Sequence, residues 1–371
     1  MDSLNIRRNY NTHNNVIFLR SSSSGCTRAL LALPEGDRVL YGQLGMSVPC
    51  QQHAEPQSLF SRYLRWVDIL DPTTLLSSDA EIKNSRALLE SLGITNKDFT
   101  QDRKVNDAQK LCEVSVHPDT GNVIPTIFRP PAFMPLATPL CLLSFLLQAV
   151  ATLLPHIGTK PAFFWQFLFH TYSAGFNLHN RNGTCKPKKS QPFQSVLLVG
   201  SVTYFAFLGA LPQFLMNRYK FRSTAMQTFL GRLLPVPLVT FLSAFNVVAV
   251  RLQETEDGIE VKDKSGNVIG TSSQAGYKAV KETALSRAAL MGITAVVPAA
   301  LHPLLQRSRF FLRNSVALAP IKYVATALTF GAMIPVSFSL FPRQGTILRS
   351  ELELELQENT REPVLFYQRG L

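Results

Sequence analysis

The run His117-Pro118-Asp119-Thr120-Gly121 places an imidazole and a carboxylate two residues apart. Its last three residues match the signature of aspartic proteases, whose chemistry needs two carboxylates that share one proton at strand ends of an all-β fold. Here the triplet follows a stretch with helical periodicity, so a protease site is not expected. Proline at the entry and glycine at the exit predict a turn instead. His117 and Asp119 could contact a ligand or an ion, but the sequence offers no third partner.

Other signatures of catalysis or metal binding are absent from the sequence. It contains no P-loop, no G-x-G-x-x-G after a strand, no H-E-x-x-H and no G-x-S-x-G. Its five cysteines include no C-x-x-C pair, which argues against a cysteine-rich metal site. Cys112, Cys141 and Cys185 are too scattered to form an iron–sulfur site by spacing. We therefore expect no enzymatic activity, no cofactor and no metal centre.

Polar side chains inside long apolar stretches are stronger candidates for function. Inside a membrane such groups are costly, so they often line a substrate path. The residues of this kind are His170, Asn177, Thr240, Asn246, His302 and Lys322. Lys322 lies near the start of its stretch, where its long side chain could instead extend to the membrane surface.

The composition indicates that these stretches cross a membrane. Of the 371 residues, 46% are apolar and only 17% are charged, whereas about 25% of the residues of a soluble domain are charged. No Asp or Glu occurs from Thr120 to Gln253 or from Thr283 to Ser350, and these two segments hold 18 of the 37 Lys and Arg residues. The net charge of +12 therefore originates in the apolar part of the chain. A multi-pass membrane protein is predicted, and a disordered chain or a single water-soluble enzyme fold is disfavoured.

Six windows free of Lys, Arg, Asp and Glu approach or exceed the roughly 20 residues that a helix needs to cross a bilayer. They are Pro130–Thr159, Pro161–Asn180, Ser190–Asn217, Leu233–Val250, Ala288–Gln306 and Tyr323–Pro342. Buried helices of a large soluble protein are the alternative, but such helices normally keep a charged outer face. The second window is aromatic at its start and polar at its end, so we expect a half-buried or re-entrant segment. The prediction is an all-α multi-pass membrane protein with about five transmembrane helices, one polar half-buried segment and an N-terminal helical soluble region.

The loops between these windows are basic. Their positive residues are Arg181, Lys186, Lys188, Lys189, Arg218, Lys220, Arg222, Arg232, Arg307, Arg309 and Arg313. Short basic loops between spans are typical of contact with anionic lipid head groups. Nucleic-acid binding is not expected, because it requires one continuous basic face on a soluble fold. Since consecutive loops are all basic, the positive-inside rule leaves the orientation open.

The remaining segments complete the predicted organisation. Residues 1–55 are rich in Arg and Ser and poor in Asp and Glu. This composition fits either a mitochondrial transit peptide or a disordered extension without a targeting signal. Residues 56–130 form the soluble helical region with the HPDTG motif, whose amphipathic first helix we expect to pack on its own domain rather than on the membrane surface. Residues 131–345 form the transmembrane region. Its hydrophilic loop 251–287 contains a hairpin that turns at Lys264-Ser265-Gly266-Asn267. Residues 346–371 form a polar C-terminal tail.

Several motifs, taken in order, resemble those of the sideroflexins, which are mitochondrial inner-membrane proteins. The resemblance covers roughly residues 56–371. It rests on Val116 to Gly121; on Phe164-Trp165-Gln166 with Asn177 and Asn180-Arg181; on Gly231-Arg232 with Pro235, Asn246 and Arg251; on Gly258, Val261, Gly266-Asn267, Gly270 and Ser286-Arg287; and on Gly370-Leu371. It implies amino-acid transport, with serine as the best-known substrate of some members, and links to iron and haem homeostasis.

The sequence departs from the family pattern along the polar segment. Phe169, His170 and Ser173 stand where the pattern has Asn, Gln and Asn, and Ser243 replaces an Asn. A zwitterionic solute must exchange its water shell for polar groups along its path, so these replacements argue against serine as the substrate. The overall pattern, including the ending Phe366-Tyr367-Gln368-Arg369-Gly370-Leu371, is most similar to a divergent branch of the family that is linked to respiratory complex I assembly and iron–sulfur cluster supply.

Two functions therefore stay open at this point. One is a mitochondrial inner-membrane transporter of an amino acid or similar small solute, with Asn177, Asn180 and Asn246 lining the path beside His170 and Lys322. The other is a non-transporting membrane factor that works with complex I assembly factors and in iron homeostasis.

Overall fold

The computed structural model describes residues 58–95, 103–133, 149, 151–153, 158–183, 191–219, 221–307 and 318–371. The predicted N-terminal extension, residues 1–55, lies outside them. Helices dominate the described part of the chain. They are α1 (Leu59–Ile69), α2 (Asp79–Thr95), α3 (Arg103–Ser115), α4 (Thr159–His179), α5 (Gln191–Tyr219), α6 (Thr224–Thr228), α7 (Pro235–Val250), α8 (Leu252–Glu256), α9 (Ser273–Arg307), α10 (Leu318–Ser339) and α11 (Leu354–Asn359). Short 3-10 helices cover Pro72–Leu76, Thr126–Phe128, Pro130–Phe133 and Arg349–Glu351, and a π-helix covers Phe229–Leu233.

Helices α1 and α2 begin at side-chain caps. The hydroxyl of Ser58 accepts a hydrogen bond from the Ser61 amide before α1. At α2, the Ser78 hydroxyl accepts from the Glu81 amide at 3.3 Å and the Glu81 carboxylate accepts from the Ser78 amide at 2.9 Å. This reciprocal pair satisfies amides that the first helical turn leaves without carbonyl partners.

Four described segments are long and apolar enough to cross a membrane. They are Ser195–Tyr219, Thr224–Val250, Ser273–Leu301 and Pro320–Ser339. They match four of the five predicted spans, and the multi-pass helical fold class is confirmed. The fifth predicted span, Pro130–Thr159, lies largely outside the described residues. The polar segment is one continuous 21-residue helix, α4, and not a re-entrant turn.

Helix α9 packs along both α7 and α10, and α4 packs against α5 and α7. Glycines allow two of these close approaches. A Cβ on Gly209 of α5 would lie 2.5 Å from the Gln166 side chain of α4, and one on Gly292 of α9 would lie 2.9 Å from Thr240 of α7. Large apolar side chains fill the space where the helices meet. They include Trp66, Phe133, Phe169, Phe176, Leu290, Phe330 and Phe338.

A four-stranded antiparallel sheet lies beside the helices, in the order β2-β1-β4-β3. Its strands are β1 (Ile259–Lys262), β2 (Val268–Ser272), β3 (Gln344–Leu348) and β4 (Val364–Gln368). The β1–β2 hairpin was predicted, and Gly266 occupies its turn with φ +83°. The pairing of β4 with β1, which draws the C-terminal segment into the sheet, was not predicted, because only non-local contacts specify it.

Candidate functional site

One face of α4 is polar although it is buried. Gln166, His170, Ser173 and Asn177 are each at most 8% exposed. Their spacing of four, three and four residues places them on one stripe of the helix. A polar stripe turned toward neighbouring helices requires hydrogen-bond partners, because burial removes its water.

The amide oxygens of this stripe and of Asn246 on α7 lack such partners among the described residues. The side-chain nitrogen of Asn177 donates to the Ser173 carbonyl at 2.8 Å, and that of Asn246 on α7 donates to the His170 carbonyl at 3.2 Å. Because these bonds fix which amide atom is nitrogen, the oxygens are free to accept. None of the described residues donates to Oδ1 of Asn177, Oδ1 of Asn246 or Oε1 of Gln166. The site therefore holds three buried, open acceptors.

His170 lies within the same stripe and is fully buried. Its ring contacts the rings of Phe169 and Phe205, with centroids 5.2 Å and 5.7 Å away. Neither ring nitrogen has a hydrogen-bond partner among the described residues. A neutral imidazole offers one donor and one acceptor, so His170 adds both to the open acceptors beside it.

A buried arginine lies on the neighbouring helix α9. Arg287 is 5% exposed, and its backbone carbonyl accepts a hydrogen bond of 3.3 Å from the Ser243 hydroxyl of α7. Ser243 is one helical turn from Asn246, so α7 carries both contacts on one side. In the sequence, Arg287 stands out only as part of a family motif. The uncharged window began at Ala288, whereas α9 begins fifteen residues earlier at Ser273, which places Arg287 inside the helix. The feature of the sequence that could have identified Arg287 is its position in a segment without Asp or Glu.

Two predicted path residues lie apart from this stripe. Asn180 follows the end of α4, where its side-chain nitrogen donates to the carbonyls of Phe128 and Phe176 at 2.9 Å and 3.0 Å. Its own backbone carbonyl accepts from the Leu371 amide at 3.1 Å. Lys322 lies in the second turn of α10 and is partly exposed. The described contacts place Asn180 at a structural junction and Lys322 at the start of a candidate span.

The HPDTG motif forms a turn, as predicted from Pro118 and Gly121. The Gly121 amide donates to the His117 carbonyl at 2.9 Å, and Gly121 adopts φ +68°, which glycine tolerates best. An isolated bridge between Val116 and Val123 closes the loop.

The side chains of this turn hold the segment that follows α4. Nδ1 of His117 accepts from the amides of Asp119 and Thr120, so Nε2 carries the proton and donates to the Arg181 carbonyl at 2.7 Å. The Asp119 carboxylate accepts from the Gly183 amide at 2.9 Å. A Cβ on Gly183 would lie 2.5 Å from Thr120, so the contact is close. These side-chain atoms are bound to backbone groups, so the motif connects its own turn to the segment that follows α4.

No cluster of three or more His, Cys, Asp or Glu side chains that could hold a metal ion occurs among the described residues. Cys112 is buried, while Cys141 and Cys185 lie outside the part of the chain that the structure describes.

Comparisons with known proteins agree with the motifs and the fold. The chain is 47% identical over 318 residues to Sideroflexin-4 of Danio rerio, which covers 85% of this chain and 96% of the relative. It is 38% identical over 323 residues to Sideroflexin-4 of Homo sapiens (85% and 90% covered) and 30% identical over 321 residues to Sideroflexin-5 of Homo sapiens (85% and 90% covered). No solved structure matches the chain. The family model for the sideroflexins matches residues 49–371, and the chain therefore belongs to the sideroflexin family.

Proposed function

We propose that this chain is a transporter of the mitochondrial inner membrane that moves an amino acid or a similar small solute. The observation that carries the proposal is the set of acceptors on Gln166, Asn177 and Asn246, together with the ring of His170, that have no partner among the described residues where α4 packs against α5 and α7. Buried polar groups without partners each cost about 1–3 kcal/mol of stability. A solute that supplies the missing donors offsets that cost.

The chemistry of the open groups favours a solute with an ammonium group. Ammonium offers three hydrogens and no acceptor, and carbonyl oxygens of amides are suited to receive them. A solute that leaves water must regain such bonds inside the protein. Three side-chain amide oxygens, two in the stripe of α4 and one on Asn246 of α7, provide them without a protein carboxylate.

Basic residues at the ends of the candidate spans support placement in an anionic bilayer. Arg218, Arg222 and Arg307 are exposed beside the ends of α5, α6 and α9. Exposed cations at these positions attract acidic lipid head groups.

Uptake by reconstituted protein tests the transport proposal. The full chain in liposomes is offered a panel of labelled small neutral amino acids, and uptake is compared with empty liposomes. Asn246→Ala should reduce uptake at least about tenfold, since a hydrogen bond to a charged group is lost. Asn217→Ala, which removes an exposed amide from α5, is the matched control and should leave uptake unchanged. Transport at the empty-liposome level for every amino acid would reject the proposal.

A second candidate function is a membrane factor for complex I assembly and iron–sulfur supply. The observation that favours it is Phe169, where the family pattern has an amide: its ring is 1% exposed and belongs to the apolar cluster of the helices. Cells that lack the protein should be measured for complex I content and for mitochondrial amino-acid uptake. If complex I content falls in these cells and expression of the Asn246→Ala variant restores it, the assembly role does not depend on transport. A normal complex I content in cells that lack the protein would reject this candidate function.

A further inference from the structure

Aromatic rings surround the buried side chain of Arg287. Three aromatic rings surround its guanidinium: the guanidinium carbon lies 4.7 Å from the ring centre of Phe338, 5.4 Å from that of Phe176 and 5.7 Å from that of Phe133. Rings at these distances attract a cation through their faces. They come from α4, from α10 and from the 3-10 helix that precedes the membrane region, so the cage exists only in the folded protein.

The hydrogen-bonding capacity of this guanidinium is largely unused. Nη1 donates to the Ser337 hydroxyl over a long 3.4 Å. Nη2 has no partner among the described residues. Five N–H groups are available on a guanidinium, and all of them lose water when the side chain is 95% buried.

The sequence excludes a carboxylate from the segments around Arg287. Its ring and hydroxyl neighbours lie between residues 120 and 253 or between residues 283 and 350, and both segments contain no Asp or Glu. This holds also for residues 134–157, which link the Phe133 segment to α4. Attraction by the rings is smaller than the penalty for burying an unpaired charge. The guanidinium therefore lacks a counter-charge among the described residues.

Two other arginines show the usual arrangement. Arg343 lies 4.6 Å from the ring centre of Trp66 and pairs with the Glu113 carboxylate at 2.6 Å. Arg251 is fully buried and pairs with Glu254 at 2.7 Å. Both of them have a carboxylate partner, whereas no described residue supplies one to Arg287, which points to an anion from outside the protein.

We propose that Arg287 is the carboxylate subsite of the transported solute. This proposal rests on the transport function above and defines the substrate class as an amino acid with a free α-carboxylate. The carboxylate takes the open N–H groups of Arg287, and the ammonium group takes the amide oxygens of Asn177 and Asn246. The Ser243 hydroxyl links the Arg287 backbone to the side of α7 that carries Asn246, so the donor and acceptor halves belong to one packed contact.

Ligand-induced stabilisation of the purified full chain in detergent tests the subsite without requiring transport. The probes are glycine and L-alanine, each beside its primary amide, which keeps the ammonium group and lacks the carboxylate. The acids should raise the melting temperature, and the amides should bind at least about tenfold more weakly. Arg287→Met should weaken binding of the acids to the level of the amides, and Arg287→Lys should keep part of the preference because it keeps a charge.

Arg343→Met is the matched control, since it also removes an arginine stacked on an aromatic ring. It should lower the melting temperature and leave the preference for acids over amides unchanged. If Arg287→Met does not fold, the comparison of acids with amides on the unaltered chain and on Arg287→Lys decides. Equal binding of acids and amides, no binding of any acid, a preference that survives in a folded Arg287→Met variant, or an undiminished preference in Arg287→Lys overturns the subsite. Acid binding without uptake in liposomes rejects transport alone, and uptake without the acid preference rejects the subsite alone.

Discussion

The guanidinium of Arg251 and the carboxylate of Glu254 form a two-point pair, with Nε to Oε1 at 2.8 Å and Nη2 to Oε2 at 2.7 Å, and both residues are fully buried. The pair connects distant parts of the chain. Arg251 also donates to the Thr283 hydroxyl of α9 and to the Arg369 carbonyl, and Glu254 accepts from the Asn182 amide. Loop, helix and C-terminal segment therefore meet at one charged junction.

Glu254→Gln should destabilise the protein by about 3–5 kcal/mol, because it leaves the buried Arg251 charge without its counter-charge. Unfolding by heat or denaturant in detergent measures the loss. Asp68→Asn removes the carboxylate from a largely exposed pair with Lys110 and should cost at most about 1 kcal/mol. Equal effects of the two substitutions would show that the junction is not a stabilising centre.

Gly276→Ala should be among the most damaging small substitutions. A Cβ at this position of α9 would lie 1.8 Å from the Glu254 carbonyl oxygen, so the α8 and α9 backbones would have to separate. The expected cost is about 3 kcal/mol or more. Gly200→Ala in α5 meets no atom within 4 Å and should be neutral or stabilise by up to about 1 kcal/mol. Yield of folded protein and melting temperature report both changes, and a well-folded Gly276→Ala variant would refute the close contact.

The HPDTG motif should affect stability rather than transport. His117→Ala removes the acceptor of two amides and the donor to the Arg181 carbonyl, which should cost about 1–3 kcal/mol. Asp119→Ala should cost about 1 kcal/mol through the Gly183 amide, whereas Asp119→Asn keeps an acceptor oxygen and should cost less. Uptake per folded molecule should stay at the level of the unaltered chain. Loss of uptake at normal stability would instead assign the motif to the transport path.

Glu353 should make stability depend on pH in mildly acidic solution. Partial burial raises its pKa, but hydrogen bonds from the Ser273 hydroxyl and nearby groups outweigh it and hold the pKa below its ordinary value of 4.5. Its Oε1 accepts from the Ser273 amide at 2.8 Å and the Gln274 amide at 3.1 Å at the start of α9. Because the pKa is lower in the folded state, ionised Glu353 stabilises the protein above pH 4.5, and this contribution is lost as the pH falls through the folded-state pKa.

Melting temperatures of the protein and of Glu353→Gln between pH 6 and pH 3.5 check this expectation. The difference between them should be largest at pH 6 and should shrink as the pH falls. Glu358→Gln, at an exposed position of α11, is the control and should give a small difference at every pH. A difference for Glu353→Gln that grows toward low pH would contradict the assigned direction.

The local features of this chain followed from the sequence because they depend on neighbouring residues. Span length is set by consecutive apolar residues without charges, and four described spans agree with the windows. The turn at Pro118 to Gly121, the capping box at Ser78 and Glu81 and the hairpin turn at Gly266 likewise involve residues within a few positions of each other.

The tertiary structure decided which faces meet. Asn177 and Asn180 are three residues apart, yet the first lies in the buried stripe and the second anchors the C-terminal segment, because α4 ends between them. The ring cage of Arg287 combines residues from three distant segments, and β4 pairs with a strand about a hundred positions earlier. Periodicity in the sequence defines a face of a helix or strand, but the partner of that face is chosen by packing of the whole chain.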